Sequence, residues 1–245
     1  KEGVISAVLE RATTLSRPDS RGRDRPVAAN IDQIVVVIAC KPSFEYGMLD
    51  RYLAAAEIIG AAPLIVVNKS DLLGHESRTR LEQRLAIYTA IGYPLVFTST
   101  RNADGLKDLH QHLRNHTSVL VGQSGVGKSS LVQALLPDLD IRTGHLSEAT
   151  GLGRHTTTVA MLYHMPDGGD LIDSPGVRDF SPGRVDPARV EKGFREFAPY
   201  LGQCRFHNCR HLSEPGCAVN NAERAGAIDP RRLESYRELV KAMSA

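Results

Sequence analysis

Within Gly122-Gln123-Ser124-Gly125-Val126-Gly127-Lys128-Ser129, two glycines, a lysine and a serine stand at the offsets of a phosphate-cradling loop, G-x-x-x-x-G-K-[ST]. Glycines let the backbone curl until successive N–H groups point at phosphate oxygens. A helix that starts there adds its partial positive charge. Lys128 can reach the β- and γ-phosphates of a nucleotide and stabilise the charge that builds on them during transfer, a catalytic role. The Ser129 hydroxyl suits Mg2+, and Ser130 extends the cradle. An apolar strand pattern, residues 118–121, runs into the loop, and an apolar helical pattern, 129–136, runs out of it.

Asn68-Lys69-Ser70-Asp71 ends a second apolar run, residues 63–67, and its chemistry suits guanine. The Asp71 carboxylate can accept from the ring N1–H and the exocyclic amine together, a donor pair that adenine lacks. Asn68 can bond N7 and tie this loop to the phosphate loop, and the Lys69 stem can lie across the base. Thr98-Ser99-Thr100 follows a third apolar stretch, where a backbone N–H at Ser99 would meet guanine O6. Asp173-Ser174-Pro175-Gly176 places a carboxylate to hold Mg2+ through water and a Gly176 N–H to meet the γ-phosphate. Between these motifs lies His155-Thr156-Thr157-Thr158. Thr157 is the expected Mg2+ ligand of a GTP-bound state, and residues 143–158 are polar enough to form a switch. Val177 stands where a water-orienting Gln is common, and Val has no group for that task. His155 is the polar candidate to act in its place, with loop packing or solvent exposure as the other reading.

Cys204-x4-Cys209-x-His211-x5-Cys217 supplies three thiolates and an imidazole, enough to close a tetrahedral structural Zn2+ site. His207 is a rival nitrogen ligand in the same loop. The remaining cysteine, Cys40, reads as a small buried hydrophobe.

These residues need a scaffold, and the rest of the chain describes one. The 245 residues, 42% of them hydrophobic, suffice for one good core and small flanking modules. Residues 34–40 and 63–67 read as fully buried strands, with a third strand at 95–98. Helical patterns at 48–59, 76–91 and 106–113 fall between the strands. Strands alternating with helices give a mostly parallel sheet covered on both faces. Residues 158–165 and 170–172 read as a hairpin turning at 166–169. Residues 3–16 are β-rich, and 17–26 read as a polar linker. Beyond residue 187 the strand patterns stop, and helical segments, the Cys/His cluster and a last helix over 231–243 form a small module. The longest apolar run is far below the roughly 18 residues of a membrane span. A polar, charged start carries no signal-peptide pattern. The first residue is Lys1, not Met, so the sequence can begin inside a longer protein. Net charge is +2, which does not by itself argue for nucleic acid, although the small basic excess falls on the two flanks.

The order of the motifs is unusual. Ordinary GTPases run phosphate loop, Thr switch, D-x-x-G, N-K-x-D and O6 loop, whereas here the last two come first. This permuted order, with G-Q-S-G-V-G-K-S-S-L, G-R-H-T-T-T, D-S-P-G-V-R-D-F and the Cys/His knuckle, resembles the ribosome small-subunit-dependent GTPase family (RsgA/YjeQ type). The run P-V-A-A-N-I-D-Q-I, residues 26–34, resembles that family's junction between an OB-fold and its GTPase domain. The resemblance implies the C-terminal part of an OB barrel and a linker over 1–30, a circularly permuted α/β GTPase domain over 31–185, and a helical zinc-binding domain over 186–245. It also implies a cytoplasmic monomer that hydrolyses GTP to GDP, stimulated by the 30S subunit, and that contacts rRNA late in subunit assembly. In that family the switch His, matching His155, is the suspected catalytic group. A rival reading is an RNA-binding zinc protein that holds GTP as a static ligand. A small-molecule kinase is disfavoured by the guanine motif.

Overall fold

The computed structural model describes residues 6–8, 10–18, 24–137, 161–173 and 187–244. Its centre is a six-stranded sheet of β3 (Gln33–Ala39), β4 (Ala62–Asn68), β5 (Leu95–Phe97), β6 (Thr117–Val121), β7 (Met161–His164) and β8 (Asp170–Asp173), in the order β5-β4-β3-β6-β8-β7. All neighbours are parallel except β7, which closes the edge antiparallel to β8. β3 is buried along its whole length. Its side chains alternate: Ile34, Val36 and Ile38 join one core, and Val35, Val37 and Ala39 join the other. That period of two explains an uninterrupted apolar run, since both faces must be covered.

Helices α1 (Tyr46–Ile59) and α2 (His75–Ile91) cover the first face, and α3 (Leu106–Leu113) and α4 (Lys128–Leu135) the second. α1 stops at Gly60, whose φ of 78° lets its N–H reach back to the last-turn carbonyls. Turn 166–169 is closed by Met165 N–H on Gly169 O and Gly168 N–H on Met165 O.

Two sequence expectations change. Residues 17–26 are only partly linker, because β1 (Thr14–Pro18) pairs antiparallel with β2 (Asp24–Ala29), bulged between Leu15 and Ser16. Among the described residues this ribbon has two strands, and Pro26 and the charged residues lie within it. Cys40 is half-buried rather than buried, with Sγ 3.6 Å from Lys69 O.

The C-terminal helices α5 (Pro187–Val190), α6 (Ala218–Arg224) and α7 (Pro230–Ser244) enclose a third cluster around Phe194, Phe197, Tyr236 and Val240. Ala54 of α1 belongs to that cluster too. Gly193 lies so close that a Cβ there would stand 2.9 Å from Ala54 O.

Candidate nucleotide site and metal centre

Parallel strands send their C-terminal loops to one edge, so the ends of β4, β5, β6 and β8 converge there. The guanine-type loop leaves β4 and the phosphate-type loop leaves β6, with β3 between them.

Asn68, 1% exposed, is the joint. Its Nδ2 donates to Val126 O at 2.9 Å and its Oδ1 accepts from Thr98 Oγ1 at 3.2 Å, tying three loops with one amide. Lys69 adopts a left-handed backbone, φ 61°, and its Nζ donates to Lys41 O and Gly125 O at 2.8 and 2.6 Å. The ammonium therefore clamps the phosphate-type loop. Ser70 Oγ donates to Asp104 Oδ2 at 3.2 Å. The Asp71 carboxylate is fixed through Ser99, whose Oγ donates to Oδ1 at 2.6 Å, and Arg101 Nε stands 3.9 Å from Oδ2.

Ser99 thus orients Asp71 rather than offering an N–H. Its own N–H is spent on Asp104 O, and that of Thr98 on Val67 O. Of the three N–H groups in this loop, only that of Thr100 is uncommitted among the described residues. Asp104, which holds Ser70 and accepts the Ser99 N–H, is not signalled by any spacing in the sequence.

The phosphate-type loop curls as glycine allows. Gly122 has φ 140°, and a Cβ there would lie 2.1 Å from Val37 O. Gly127 has φ 96°, and a Cβ would meet Asn68 Nδ2 at 2.4 Å. Val126 buries completely and anchors the loop. Lys128 turns its Nζ onto Gly122 O and Gln123 O at 2.5 and 2.9 Å. Ser124, Ser129 and Ser130 are exposed at the mouth of α4. Asp173 is the last residue of β8, one beyond the Ile172–Val119 pair, which puts its backbone beside the end of β6. His155, Thr157 and Gly176 lie outside the described residues.

A family model described as RsgA GTPase matches residues 8–182. The chain belongs to the RsgA GTPase family. It is a GTP hydrolase with permuted motif order. The small ribosomal subunit biogenesis GTPase RsgA of Azotobacter vinelandii is 53% identical over 98% of this chain and 70% of that protein. That of Hahella chejuensis is 51% identical over 96% and 67%. The crystal structure of YjeQ from Thermotoga maritima matches with a TM-score of 0.80 at 31% identity, covering 98% of this chain and 78% of that one. YloQ, a solved structure titled a circularly permuted GTPase, matches at 0.77 and 30% identity, covering 100% and 76%.

In this family member the Cys/His cluster assembles as a metal-sized cage. Ligand atoms of Cys204, Cys209, His211 and Cys217 lie within 4.8 Å of one another. His211 Nδ1 stands 3.5, 3.6 and 3.3 Å from the sulfurs of Cys204, Cys209 and Cys217, and the Cys204–Cys217 sulfurs are 3.9 Å apart. A tetrahedron with Zn–S near 2.3 Å and Zn–N near 2.0 Å has edges of about 3.5–3.8 Å. His207 is exposed and outside the cluster, so geometry chooses His211. His211 takes a left-handed backbone, φ 57°, and its Nε2 lies 3.0 Å from Glu191 Oε2, which fixes the ring. Ala218 and Asn220 N–H groups point at Cys204 and Cys217 Sγ, 3.3 and 3.4 Å away. Burial pushes the Cys209 thiol up to about 12.

Proposed function

We propose that guanine is read by Asp71, Asn68 and the Thr100 N–H, with the stem of Lys69 along the base. Ser70 and Ser99 hold those groups in place. Gly122, Gln123, Ser124, Gly125, Val126, Gly127, Lys128, Ser129 and Ser130 cradle the phosphates. The observation that carries this reading is the Asn68 amide, which locks the base-reading and phosphate loops into one rigid crevice. Replacing Asp71→Asn turns a double acceptor into a mismatched amide. Affinity for GTP is expected to fall by at least ~10-fold and that for xanthosine triphosphate to rise, as nucleotide titration would measure. Unchanged GTP affinity would remove Asp71 from the role.

The donor set at Ser129, Thr157 and Asp173 fits Mg2+, a hard cation that takes oxygen ligands. Those residues would hold Mg2+, which would supply charge neutralisation at the β- and γ-phosphates. Lys128 places a further positive charge at the transferring phosphoryl group, and Gly176 offers an N–H to it. With Val177 inert, His155 orients the attacking water.

The cage of Cys204, Cys209, His211 and Cys217 suits Zn2+ as a structural staple, one per chain. Chelation is expected to loosen the C-terminal helices while nucleotide binding persists, because the crevice is built from other elements. Elemental analysis and limited proteolysis would check this, and a Cys217→Ser variant with full zinc and unchanged protease resistance would refute the ligand set.

The chain is a GTPase of small-subunit biogenesis, working in the cytoplasm as a monomer on the 30S particle and its rRNA. Among the described residues no helix is long and apolar enough to cross a membrane. Hydrolysis releases it from the particle. GTP turnover measured with and without purified 30S subunits tests the reading, and equal rates would overturn it. His155→Ala is expected to leave GTP affinity unchanged and to cut the stimulated rate by ~10²-fold. Normal stimulation of that variant would assign the catalytic group to the ribosome.

A further inference from the structure

Between the first two cage cysteines the chain runs Arg205-Phe206-His207-Asn208, and all four residues are exposed. Phe206 is 42% exposed, one of few large apolar side chains left open among the described residues. This loop is also rigid at both ends. Cys204 and Cys209 belong to the cage, Arg205 N–H donates to Gly216 O, and Cys209 N–H to Phe206 O. A Cβ at Gly216 would meet Arg205 Cβ at 2.9 Å, so the tip lies tightly on the neighbouring strand of chain.

The charge in this stretch of chain has one sign. Residues 201–213 contain no Asp or Glu, and Arg205 forms no ion pair among the described residues. Its guanidinium lies 5.4 Å from the Phe206 ring centroid. Two carboxylates of the module, Glu214 and Glu191, are engaged within it. Glu214 accepts from the N–H groups of Arg210, Leu212 and Ser213, and Glu191 holds His211. Those backbone bonds prevail over burial and keep Glu214 ionised, yet its charge is spent inside the turn.

An exposed π-face flanked by a cation, on a stretch of chain (201–213) without an acidic residue, is a combination that suits unpaired nucleotides. The base stacks on the ring, and the phosphate meets the guanidinium. We propose that Phe206 is a stacking platform for an unpaired base of single-stranded RNA, with Arg205 on the adjoining phosphate and the His207 ring widening the platform. This rests on the small-subunit reading for the source of the RNA and adds the residues and base state that are recognised. A protein partner would instead use Phe206 as an apolar knob, to which an aliphatic side chain is nearly equivalent.

The chain has no tryptophan, so Phe206→Trp introduces a single reporter. Adding a uridine-rich single-stranded RNA oligonucleotide is expected to quench its emission, and a duplex of the same length is not. Phe206→Ala and Phe206→Leu should each weaken binding of the single strand about tenfold in fluorescence anisotropy, with metal content unchanged. Arg205→Ala should flatten the salt dependence by about one counterion. Leu binding as well as Phe, or an unquenched Trp, would overturn the proposal in favour of a protein contact. With 30S particles, Phe206→Ala should raise the subunit concentration for half-maximal GTP turnover and leave the maximal rate alone. If wild type is stimulated and Phe206→Ala behaves identically, the platform fails while the small-subunit reading stands. If wild type is not stimulated, that reading fails, and the oligonucleotide result alone decides the platform.

Discussion

Lys128→Met is expected to lower GTP turnover by about 10³-fold or more at saturating GTP and Mg2+. Its ammonium sits at the start of α4, 2.5 and 2.9 Å from the Gly122 and Gln123 carbonyls, so it is held over the phosphate loop from the loop's own floor. A charge fixed there needs no reorganisation when negative charge builds on the transferring phosphoryl oxygens. Removing one such preorganised donor from a reaction centre costs about 10²–10³ in rate, and a full cation beside a polyanion belongs at or above the top of that range. Methionine keeps the stem and its packing, so the loss reports the charge rather than a cavity. Single-turnover hydrolysis with nucleotide occupancy checked separately is the measurement. Wild-type rates at full occupancy would remove Lys128 from the chemistry.

The features legible in the sequence were those carried by short spacing. A phosphate-type loop is a string of glycines and one lysine, and the strand and helix around it are periodic, so local reading suffices. Cys204, Cys209 and Cys217 are close in the chain for the same reason. The choice between His207 and His211 was harder. It turns on which ring points inward, and His211 manages this through a positive φ that no propensity announces. Ser99 and Thr100 differ by one residue. Only the direction of each backbone N–H separates them, and the Asp104 carbonyl that takes the Ser99 proton lies on the far side of a turn. Residues 17–26 depart from the reading because Pro, Arg and Asp mark linkers on average, whereas here Arg17, Pro18 and Asp24–Pro26 lie in the paired strands β1 and β2. Cys40 looked like core because it follows seven buried residues, yet it is the first residue past β3, where the sheet opens towards the Lys69 loop.

The feature least legible in the sequence carries the second large effect. Arg232, on α7, is 0% exposed and sits among groups far apart in the chain. Its Nη1 donates to Asp50 Oδ1 of α1 at 2.7 Å, and its Nε and Nη2 grip the two oxygens of Glu196 at 2.7 and 3.2 Å. Tyr88 OH of α2 donates to the same Asp50 oxygen at 2.7 Å, and the guanidinium stacks 4.6 Å from the Phe194 ring centroid. Burial by itself lowers the Arg232 pKa, but the Asp50 and Glu196 carboxylates outweigh it and hold it above the ordinary value. The C-terminal helices are therefore bolted to the GTPase helices by a buried charge, beside the apolar contact at Ala54. Arg232→Met keeps most of the volume and strands two carboxylates away from water. Breaking a buried pair on one side typically costs about 3–5 kcal/mol, because the orphaned charge remains. The variant is expected to lose about that much in urea unfolding and to become protease-sensitive across α5–α7. Combining it with Asp50→Asn and Glu196→Gln removes the orphaned charges, and most of the loss should return, although each single change alone destabilises. A loss below about 1 kcal/mol in Arg232→Met, or no recovery in the triple variant, would mean that apolar packing at Ala54 holds the two parts together and the ion cluster is incidental.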